Sequence, residues 1–346
     1  MSIVDSARTT RGTRLPRARL RLVGVAIIVA GILAAALAWR LGPGAESGFV
    51  EWRMPQATDI PVAVALARDG TVWFTIDSSN AIGRLKDGRI QKVRKPTDSL
   101  EPLGLAADAD GSAWYTDAHL RAISHVSNDA TITSFDLATP VARLGRLALA
   151  PDGAVWFAEP TAVSVTRLQD GRFTRHAVGP FTGAAEANVA PFGVAVDAQG
   201  TVWATLQSAN KLVRIAAGGE MTEFELPTRQ SGPGDVALDP SGAVWVLELT
   251  ANKVARFAAG RFEEFSVPTP NAGLTALAVA PDGAAWFTEA RAHKLGRVRG
   301  GRVKEFALPR RDARPFGVAV DGANNVWYTD LSGWLGMVRG ERARAE

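Results

Sequence analysis

The chain has 346 residues, 47% of them apolar, with 34 glycines and 19 prolines, a composition that predicts an ample core and many turns. The absence of cysteine excludes disulfides, thiolate metal sites and a cysteine nucleophile. Of the formal charge of +4, residues 1–48 contribute seven arginines and two acids, so the remainder is slightly acidic and no basic face for nucleic acid is indicated.

The N-terminus carries the signs of an exported protein. Residues 1–21 form a basic tail that we expect to be cytoplasmic, and residues 22–39 are an uncharged apolar run of about the minimum length that spans a bilayer. Two interpretations remain open: an uncleaved transmembrane anchor, or a signal segment cleaved after the "ALA" at 36–38. Both place the rest of the chain outside a bacterial inner membrane, facing the periplasm or exterior, or secreted if cleaved. Residues 40–48 are typical of a flexible linker.

Tryptophan recurs about every 42 residues through the rest of the chain. The seven periodic copies are Trp73, Trp114, Trp156, Trp203, Trp245, Trp286 and Trp327. Gly turns, such as Asp69-Gly70 and Asp282-Gly283, separate alternating apolar runs in each unit, which indicates β-hairpins. Four antiparallel strands per unit predict an all-β fold, a seven-bladed β-propeller over residues 49–346 that follows the N-terminal transmembrane or signal helix.

The last unit lacks a good fourth strand. The stretch "FVEWRMP", residues 49–55, has the same form as the "TEFELP" that supplies a fourth strand elsewhere. We therefore expect an N-terminal strand at 49–55 to complete the seventh blade and close the ring, which protects the strand edges.

Carboxylates recur three residues after the periodic tryptophans. Five of the seven positions are acidic: Asp117, Glu159, Glu248, Glu289 and Asp330. If these side chains converge, they form an acidic rim at the mouth of the central channel, suited to a hard divalent cation. The alternative is that each carboxylate caps backbone N–H groups of its own loop or pairs with a nearby lysine.

The repeats resemble those of the streptogramin B lyase (virginiamycin B lyase) family. The resemblance rests on "PFGVAVD", "VWYTD", "WFTE", "HKLGRV" and "EFALP", and it covers residues 49–340. It implies a seven-bladed propeller that opens a cyclic depsipeptide at its ester by elimination, with Mg²⁺ as cofactor and a histidine as general base. In that family the histidine follows the proline that begins an inner strand, and a metal-binding glutamate ends the tryptophan strand of the same blade.

The resemblance breaks at the catalytic histidine. The corresponding positions, eleven residues before each tryptophan, are Val62, Leu103, Gly145, Phe192, Gly234, Thr275 and Phe316. None is histidine, while the glutamate position of the Thr275 unit is kept as Glu289. Of the four histidines in the chain, His293 is the candidate for a displaced base, four residues after Glu289.

A ligand-binding mouth is the other expectation at this end of the ring. Phe192, Phe316 and Thr275 would line it, and Phe181 would join them from a longer segment at 179–193. Two functions therefore stay open: an exported, membrane-tethered propeller that binds a small molecule, a peptide or a cation without catalysis, and a Mg²⁺-dependent carbon–oxygen lyase. Neither involves nucleic acid.

Overall fold

The computed structural model describes residues 48–96, 98, 102–117, 120–137, 143–179 and 190–345. Over these residues the chain forms seven four-stranded antiparallel sheets, which confirms the seven-bladed β-propeller. No helix in the described part has the length and apolar character needed to cross a membrane. The transmembrane or signal segment predicted at 22–39 lies outside the described residues.

The strands follow the chain from the inside of each blade to the outside. Blades one to three comprise β2 (Ile60–Leu66), β3 (Val72–Asp77), β4 (Ala81–Lys86), β5 (Arg89–Arg94); β6 (Leu105–Ala107), β7 (Ala113–Asp117), β8 (Ala122–Val126), β9 (Ile132–Asp136); and β10 (Leu147–Leu149), β11 (Val155–Glu159), β12 (Ser164–Gln169), β13 (Arg172–Ala177). Blades four to six comprise β14 (Pro191–Val196), β15 (Val202–Leu206), β16 (Lys211–Ile215), β17 (Met221–Glu225); β18 (Pro233–Leu238), β19 (Val244–Glu248), β20 (Lys253–Ala258), β21 (Arg261–Ser266); and β22 (Leu274–Val279), β23 (Ala285–Glu289), β24 (Lys294–Arg299), β25 (Arg302–Ala307).

Blade seven joins the two ends of the propeller. Its strands are β26 (Pro315–Val320), β27 (Val326–Asp330), β28 (Trp334–Val338) and, on the outside, β1 (Phe49–Arg53). β1 pairs antiparallel with β28, with Val50 opposite Met337 and Trp52 opposite Leu335. The ring is therefore closed by strand pairing between the first and the last strands of the propeller.

The periodic tryptophans fill the seams between blades. Trp73 is fully buried in a cluster with Ala113 and Tyr115 of the next blade, and its indole N–H donates to the Gly111 carbonyl at 2.9 Å. On the outer side, Trp52 of β1 stacks on Trp327 with ring centroids 5.4 Å apart. Phe224, Phe265 and Phe306 contact their tryptophans in the same way, so β1 replaces a fourth strand in packing as well as in pairing.

Within the described residues, two short helices interrupt the β-structure. One is a single 3₁₀ turn at Pro160–Ala162, and the other is α1 (Gly340–Ala345) at the C-terminus. The sequence showed no helical periodicity after residue 48, and a turn or two is too short to reveal one. The Arg342 guanidinium of α1 lies 5.0 Å from the Phe49 ring, so α1 packs beside the start of β1.

Candidate functional site

The inner strand of each blade begins at the end of the ring where the second strand finishes. Pro315 pairs with Asp330, and Leu274 pairs with Glu289. We call this end the mouth. A register shift lies near the start of the inner strand in five blades, for example between Leu274 and Leu277. This shift places Thr275, Phe192 and Phe316, the positions matched to the family histidine, within bulges.

Threonine hydroxyls tie these bulges to the neighbouring blade. Thr288 Oγ1 accepts from the Ala276 N–H at 3.0 Å and lies 2.9 Å from the Phe316 carbonyl oxygen. Thr275 Oγ1 lies 2.7 Å from that carbonyl and 2.7 Å from the Thr288 hydroxyl. The Thr275 hydroxyl is thus held in a structural network at the position that the family resemblance assigns to the base.

The five predicted carboxylates end their strands as expected, but they do not form an open rim. All five residues are fully buried: Asp117, Glu159, Glu248, Glu289 and Asp330. In each β-strand, side chains alternate between faces, so these residues share a face with the aromatic or apolar residue two positions earlier and lie in the seam with the preceding blade. Among the described residues, no three His, Asp or Glu side chains come together in a way that could hold a metal ion.

Glu289 belongs to a charged cluster in the seam between blades five and six. The Lys294 ammonium binds the Glu305 carboxylate at 2.5 Å, and Glu305 also accepts from the backbone N–H and the hydroxyl of Thr269. Burial, followed by the negative charge of Glu305, raises the pKa of Glu289 to about 8. Glu289 therefore holds a proton at neutral pH, while Glu305 and Lys294 form the ion pair.

The same arrangement recurs one seam earlier. Lys253 binds Glu264 at 2.7 Å, and Glu264 accepts from the N–H and hydroxyl of Thr228. Burial, followed by the charge of Glu264, raises the pKa of Glu248 to about 7. The repetition indicates that the lysine–glutamate pair and its threonine join successive blades, because Thr228 and Thr269 each belong to the exit loop of the preceding blade.

The other three carboxylates face basic side chains. In the seam between blades six and seven, the buried Arg310 guanidinium binds both Asp330 and Glu51. Arg310 occupies the repeat position that Thr228 and Thr269 hold in the two clusters above. Its guanidinium lies 4.6 Å from the ring of Trp334, which occupies the repeat position of Lys253 and Lys294. The two further pairs are Asp117 with Lys95 at 3.6 Å and Glu159 with Arg175 at 3.1 Å.

Magnesium, which the family resemblance implies, does not fit the residues around Glu289. Neither Glu289 carboxylate oxygen has a hydrogen-bond partner among the described residues, as a metal ligand would require. Its charged neighbours, however, are the Glu305 carboxylate and the Lys294 ammonium, which already bind each other. Mg²⁺ requires octahedral oxygen ligands and keeps several waters. A fully buried carboxyl beside the Lys294 ammonium offers Mg²⁺ neither a set of oxygen ligands nor access to water.

His293 has a structural partner. Its ring Nδ1 lies 2.5 Å from the backbone carbonyl oxygen of Ala313 in the loop that enters blade seven. Since a carbonyl only accepts, Nδ1 is the donor. Asn210 and Asn252, which hold the same place in two other blades, bind the corresponding loops through their side-chain amides. All three residues have positive φ, so His293 shares their role in fixing a loop.

The structure places a charge pair across the inner strands at the mouth, which the sequence had not singled out. Arg146 N–H groups donate to the carbonyls of Leu103 at 2.9 Å and Thr275 at 3.1 Å, and the guanidinium lies 3.5 Å from the Asp235 carboxylate. Asp235 in turn accepts from the Leu277 N–H at 3.0 Å. This axial pair, Arg146 and Asp235, links inner-strand residues of blades two, three, five and six.

A signal for this pair exists in the repeat. Arg146 and Asp235 occupy the position just after the bulge residue, where the other blades have glycine or alanine. Blades three and five also lack the threonine that ties the bulge elsewhere, since they carry Ala158 and Leu247 at that position. A charged residue where every other copy is small was therefore readable from the aligned repeats.

Two of the predicted lining residues lie beside the axial pair. The Arg146 guanidinium lies 6.0 Å from the Phe192 ring centre, and both Phe192 and Phe316 are partly exposed. Thr275 is also partly exposed, and its carbonyl binds Arg146. Phe181 lies outside the described residues.

Comparison with known proteins finds similarity to the Virginiamycin B lyase family in both sequence and structure. The model of the Virginiamycin B lyase family matches residues 38–182 and 181–342. A virginiamycin B lyase from Nocardia farcinica (strain IFM 10152) is 35% identical over 174 residues, which span 50% of this chain and 57% of that relative's length.

Solved structures agree with these sequence matches. A catalytically inactive His-to-Ala variant of virginiamycin B lyase from Staphylococcus aureus, with quinupristin, has a TM-score of 0.78 at 26% identity, covering 84% of this chain and 98% of that one. A streptogramin B lyase structure has a TM-score of 0.78 at 25% identity, covering 84% and 96%.

Proposed function

Because the chain belongs to the Virginiamycin B lyase family, we propose that it is an exported, membrane-tethered propeller of that family that binds a ligand at its mouth without the family's lyase chemistry. The proposal separates the scaffold, which is retained, from the general base, which is not. Fold alone does not decide function, so the argument rests on the residues at the mouth.

The observation that carries the proposal is the environment of Thr275. A general base must accept a proton near neutral pH, and a threonine hydroxyl does not do so. The hydroxyl is also occupied by Thr288 and the Phe316 carbonyl, both at 2.7 Å. Glu289 adds to this, because it is buried beside Glu305 and Lys294 and does not face the mouth.

A second candidate function is the Mg²⁺-dependent lyase itself. The observation in its favour is Glu289, which keeps the family's glutamate position in the same blade as Thr275. This candidate requires a displaced base such as His293, and it requires Glu289 to leave its cluster to meet a metal ion. We rank it second for both reasons.

Incubation of the purified protein with a streptogramin B and Mg²⁺ separates the two candidates. Elimination opens the ring without changing the mass, whereas hydrolysis adds one water, so chromatography with mass spectrometry distinguishes the products. We expect no opening above the protein-free rate. Ring opening that is lost in Glu289→Gln or His293→Ala would refute the binding proposal and establish the lyase.

Export and membrane tethering through the N-terminus are tested separately from ligand binding. The basic tail and apolar run at 1–39 support export with the propeller outside the membrane. Protease added to intact spheroplasts should degrade the propeller and leave a membrane-bound N-terminal fragment. N-terminal sequencing of the mature protein distinguishes the anchor from a cleaved signal, because cleavage after Ala38 would expose Trp39. Propeller that is protected from protease until the cells are lysed would refute export.

A further inference from the structure

The mouth-end loops of blades five to seven carry an excess of positive charge. All of these loops, residues 227–232, 249–252, 268–273, 290–293, 309–314 and 331–333, are described. Their charged residues are Arg229, Arg291, Arg310, Arg311, Asp312 and Arg314. Arg310 is buried against Asp330 and Glu51, whereas the other four arginines are exposed. This arc of the mouth therefore presents a positive surface to solvent.

The buried acids beneath the arc do not cancel this charge. Glu305 is paired with Lys294, and Glu264 is paired with Lys253. Arg310 is shared by Asp330 and Glu51, which leaves one excess negative charge against the four exposed arginines. Glu289, the remaining carboxyl of its cluster, is fully buried and presents no charge at the surface of the mouth. The acidic positions that the sequence placed at the mouth are therefore internal, and an approaching ligand meets arginine first.

The floor of the mouth continues the same chemistry. Arg146 carries five N–H donors in a planar fork, and its partners among the described residues are the Leu103 and Thr275 carbonyls and Asp235. These three acceptors are bound by the two terminal nitrogens, which carry four N–H groups, while the Nε is buried and does not face a ligand. Donor capacity therefore remains on the guanidinium, which lies beside the partly exposed Phe192 ring. An apolar ring next to a guanidinium fork matches a ligand that joins an apolar body to a carboxylate.

We propose that the mouth binds small molecules or peptides that carry a carboxylate on an aromatic or aliphatic body. The exposed arginines of blades five to seven attract the ligand, Arg146 receives the carboxylate, and Phe192 and Phe316 contact the apolar body. The inference rests on the proposed function, since it names the ligand class of the same mouth. The negative charge of such a ligand is opposite to that of the cation that an acidic rim would select.

Three probes with one body and different charges test this inference. They are 3-phenylpropionate, 3-phenylpropionamide and 3-phenylpropylamine, titrated into the full-length protein and followed by ligand-observed NMR. We expect the carboxylate to bind at least about tenfold more tightly than the amide or the amine, because bidentate arginine contacts select carboxylates. We also expect its affinity to fall as NaCl rises from low to high ionic strength, because exposed charges are screened.

Matched variants locate the site. The double substitution Arg291→Gln/Arg314→Gln changes only exposed side chains, and we expect it to weaken carboxylate binding by roughly 3- to 10-fold at low salt. Arg68→Gln, an exposed arginine at the turn end of blade one, is the control with the same chemistry and should leave binding unchanged. Arg146→Gln should abolish the preference for the carboxylate over the amide. If the Arg146→Gln protein does not fold, the double variant Arg291→Gln/Arg314→Gln still tests whether the carboxylate binds at the mouth.

The outcomes distinguish this inference from the proposed function. Tighter binding of the amide or amine overturns the carboxylate preference and leaves a non-catalytic binding propeller standing. No binding of any probe, or binding that responds to Arg68→Gln and not to the mouth variants, also overturns the inference. Failure of the proposed function is a separate result, namely ring opening of the streptogramin.

Discussion

The imidazole Nδ1 of His293 and the backbone carbonyl oxygen of Ala313 lie 2.5 Å apart, which ties a loop of blade six to the loop that enters blade seven. Asn210 and Asn252 make the equivalent ties elsewhere through their side-chain amides. The only histidine near Glu289 in sequence is thus committed to a contact that asparagine makes in other blades.

Substitution of His293 should follow this equivalence. We expect His293→Asn to keep the stability of the parent, because asparagine fits the positive φ and its amide holds the corresponding loop at two sibling positions, where it accepts from a loop N–H and donates to a loop carbonyl. His293→Ala should lose about 1 kcal/mol or more, because the hydrogen bond is lost and alanine disfavours that φ. Urea unfolding of both variants measures the difference. Equal losses for Asn and Ala would show that the loop contact is not what holds this residue.

The proton on Glu289 should make stability depend on pH. Burial raises the pKa to about 8 from an ordinary value of 4.5, so the folded protein keeps a proton that the unfolded chain releases. The contribution of this carboxyl is fully present below about pH 4.5 and is lost as pH rises toward 8. Glu289→Gln, which mimics the neutral carboxyl, should therefore gain about 1–3 kcal/mol relative to the parent between pH 5 and pH 9.

Denaturant unfolding at pH 5 and pH 9 measures this effect. Glu223→Gln is a suitable control, because Glu223 forms a largely exposed pair with Lys211 at 2.5 Å. Its difference from the parent should change little between the two pH values. An unchanged difference for Glu289→Gln across the same interval would contradict the assignment of a proton to Glu289.

Loss of Arg310 should open the seam between blades six and seven. Arg310→Met keeps much of the apolar stem but leaves Asp330 and Glu51 as buried charges without their counterion. Breaking a buried ion pair from one side typically costs about 3–5 kcal/mol. The adjacent Arg311→Met, at an exposed position, should change the free energy of unfolding by less than about 0.5 kcal/mol. Similar effects for the two variants would refute a special role for Arg310.

The threonine network at the mouth gives a fourth prediction. Thr288→Val preserves shape but leaves the buried Ala276 N–H without its acceptor, while the Phe316 carbonyl keeps only the Thr275 hydroxyl. We expect a loss of about 1–3 kcal/mol in the free energy of unfolding, the usual cost of unsatisfied buried polar groups. Thr288→Ser retains the hydroxyl and serves as the control in the same thermal unfolding series. A serine variant as unstable as the valine variant would assign the cost to packing.

Much of the fold was predictable because the repeat is explicit at the level of single residues. Tryptophan spacing and Gly turns fix the number of blades, and "FVEWRMP" indicates β1, since Trp52 matches Phe224. Local patterns of this kind determine strand order because each unit must bury its faces against its neighbours.

The candidate site was less predictable, because it depends on which partner each side chain meets. The position of Glu289 at a strand end follows from the repeat, but its burial beside Glu305 depends on a contact from Thr269 in another blade. The acidic rim was expected from position alone, whereas strand alternation turns those side chains into the seams. The axial pair required comparing Arg146 and Asp235 with the small residues of the other copies.

The pairing of β1 with β28 also sets an order of events during synthesis. The strand that the ribosome makes first in the propeller has its partner, Trp334–Val338, as the last strand of the propeller. Until that partner emerges, β1 has an unsatisfied edge and the other blades form an open arc. A nascent or truncated chain that stops before residue 334 therefore has a free strand that can add to the edge of another molecule, and that hazard ends only when β28 has been made.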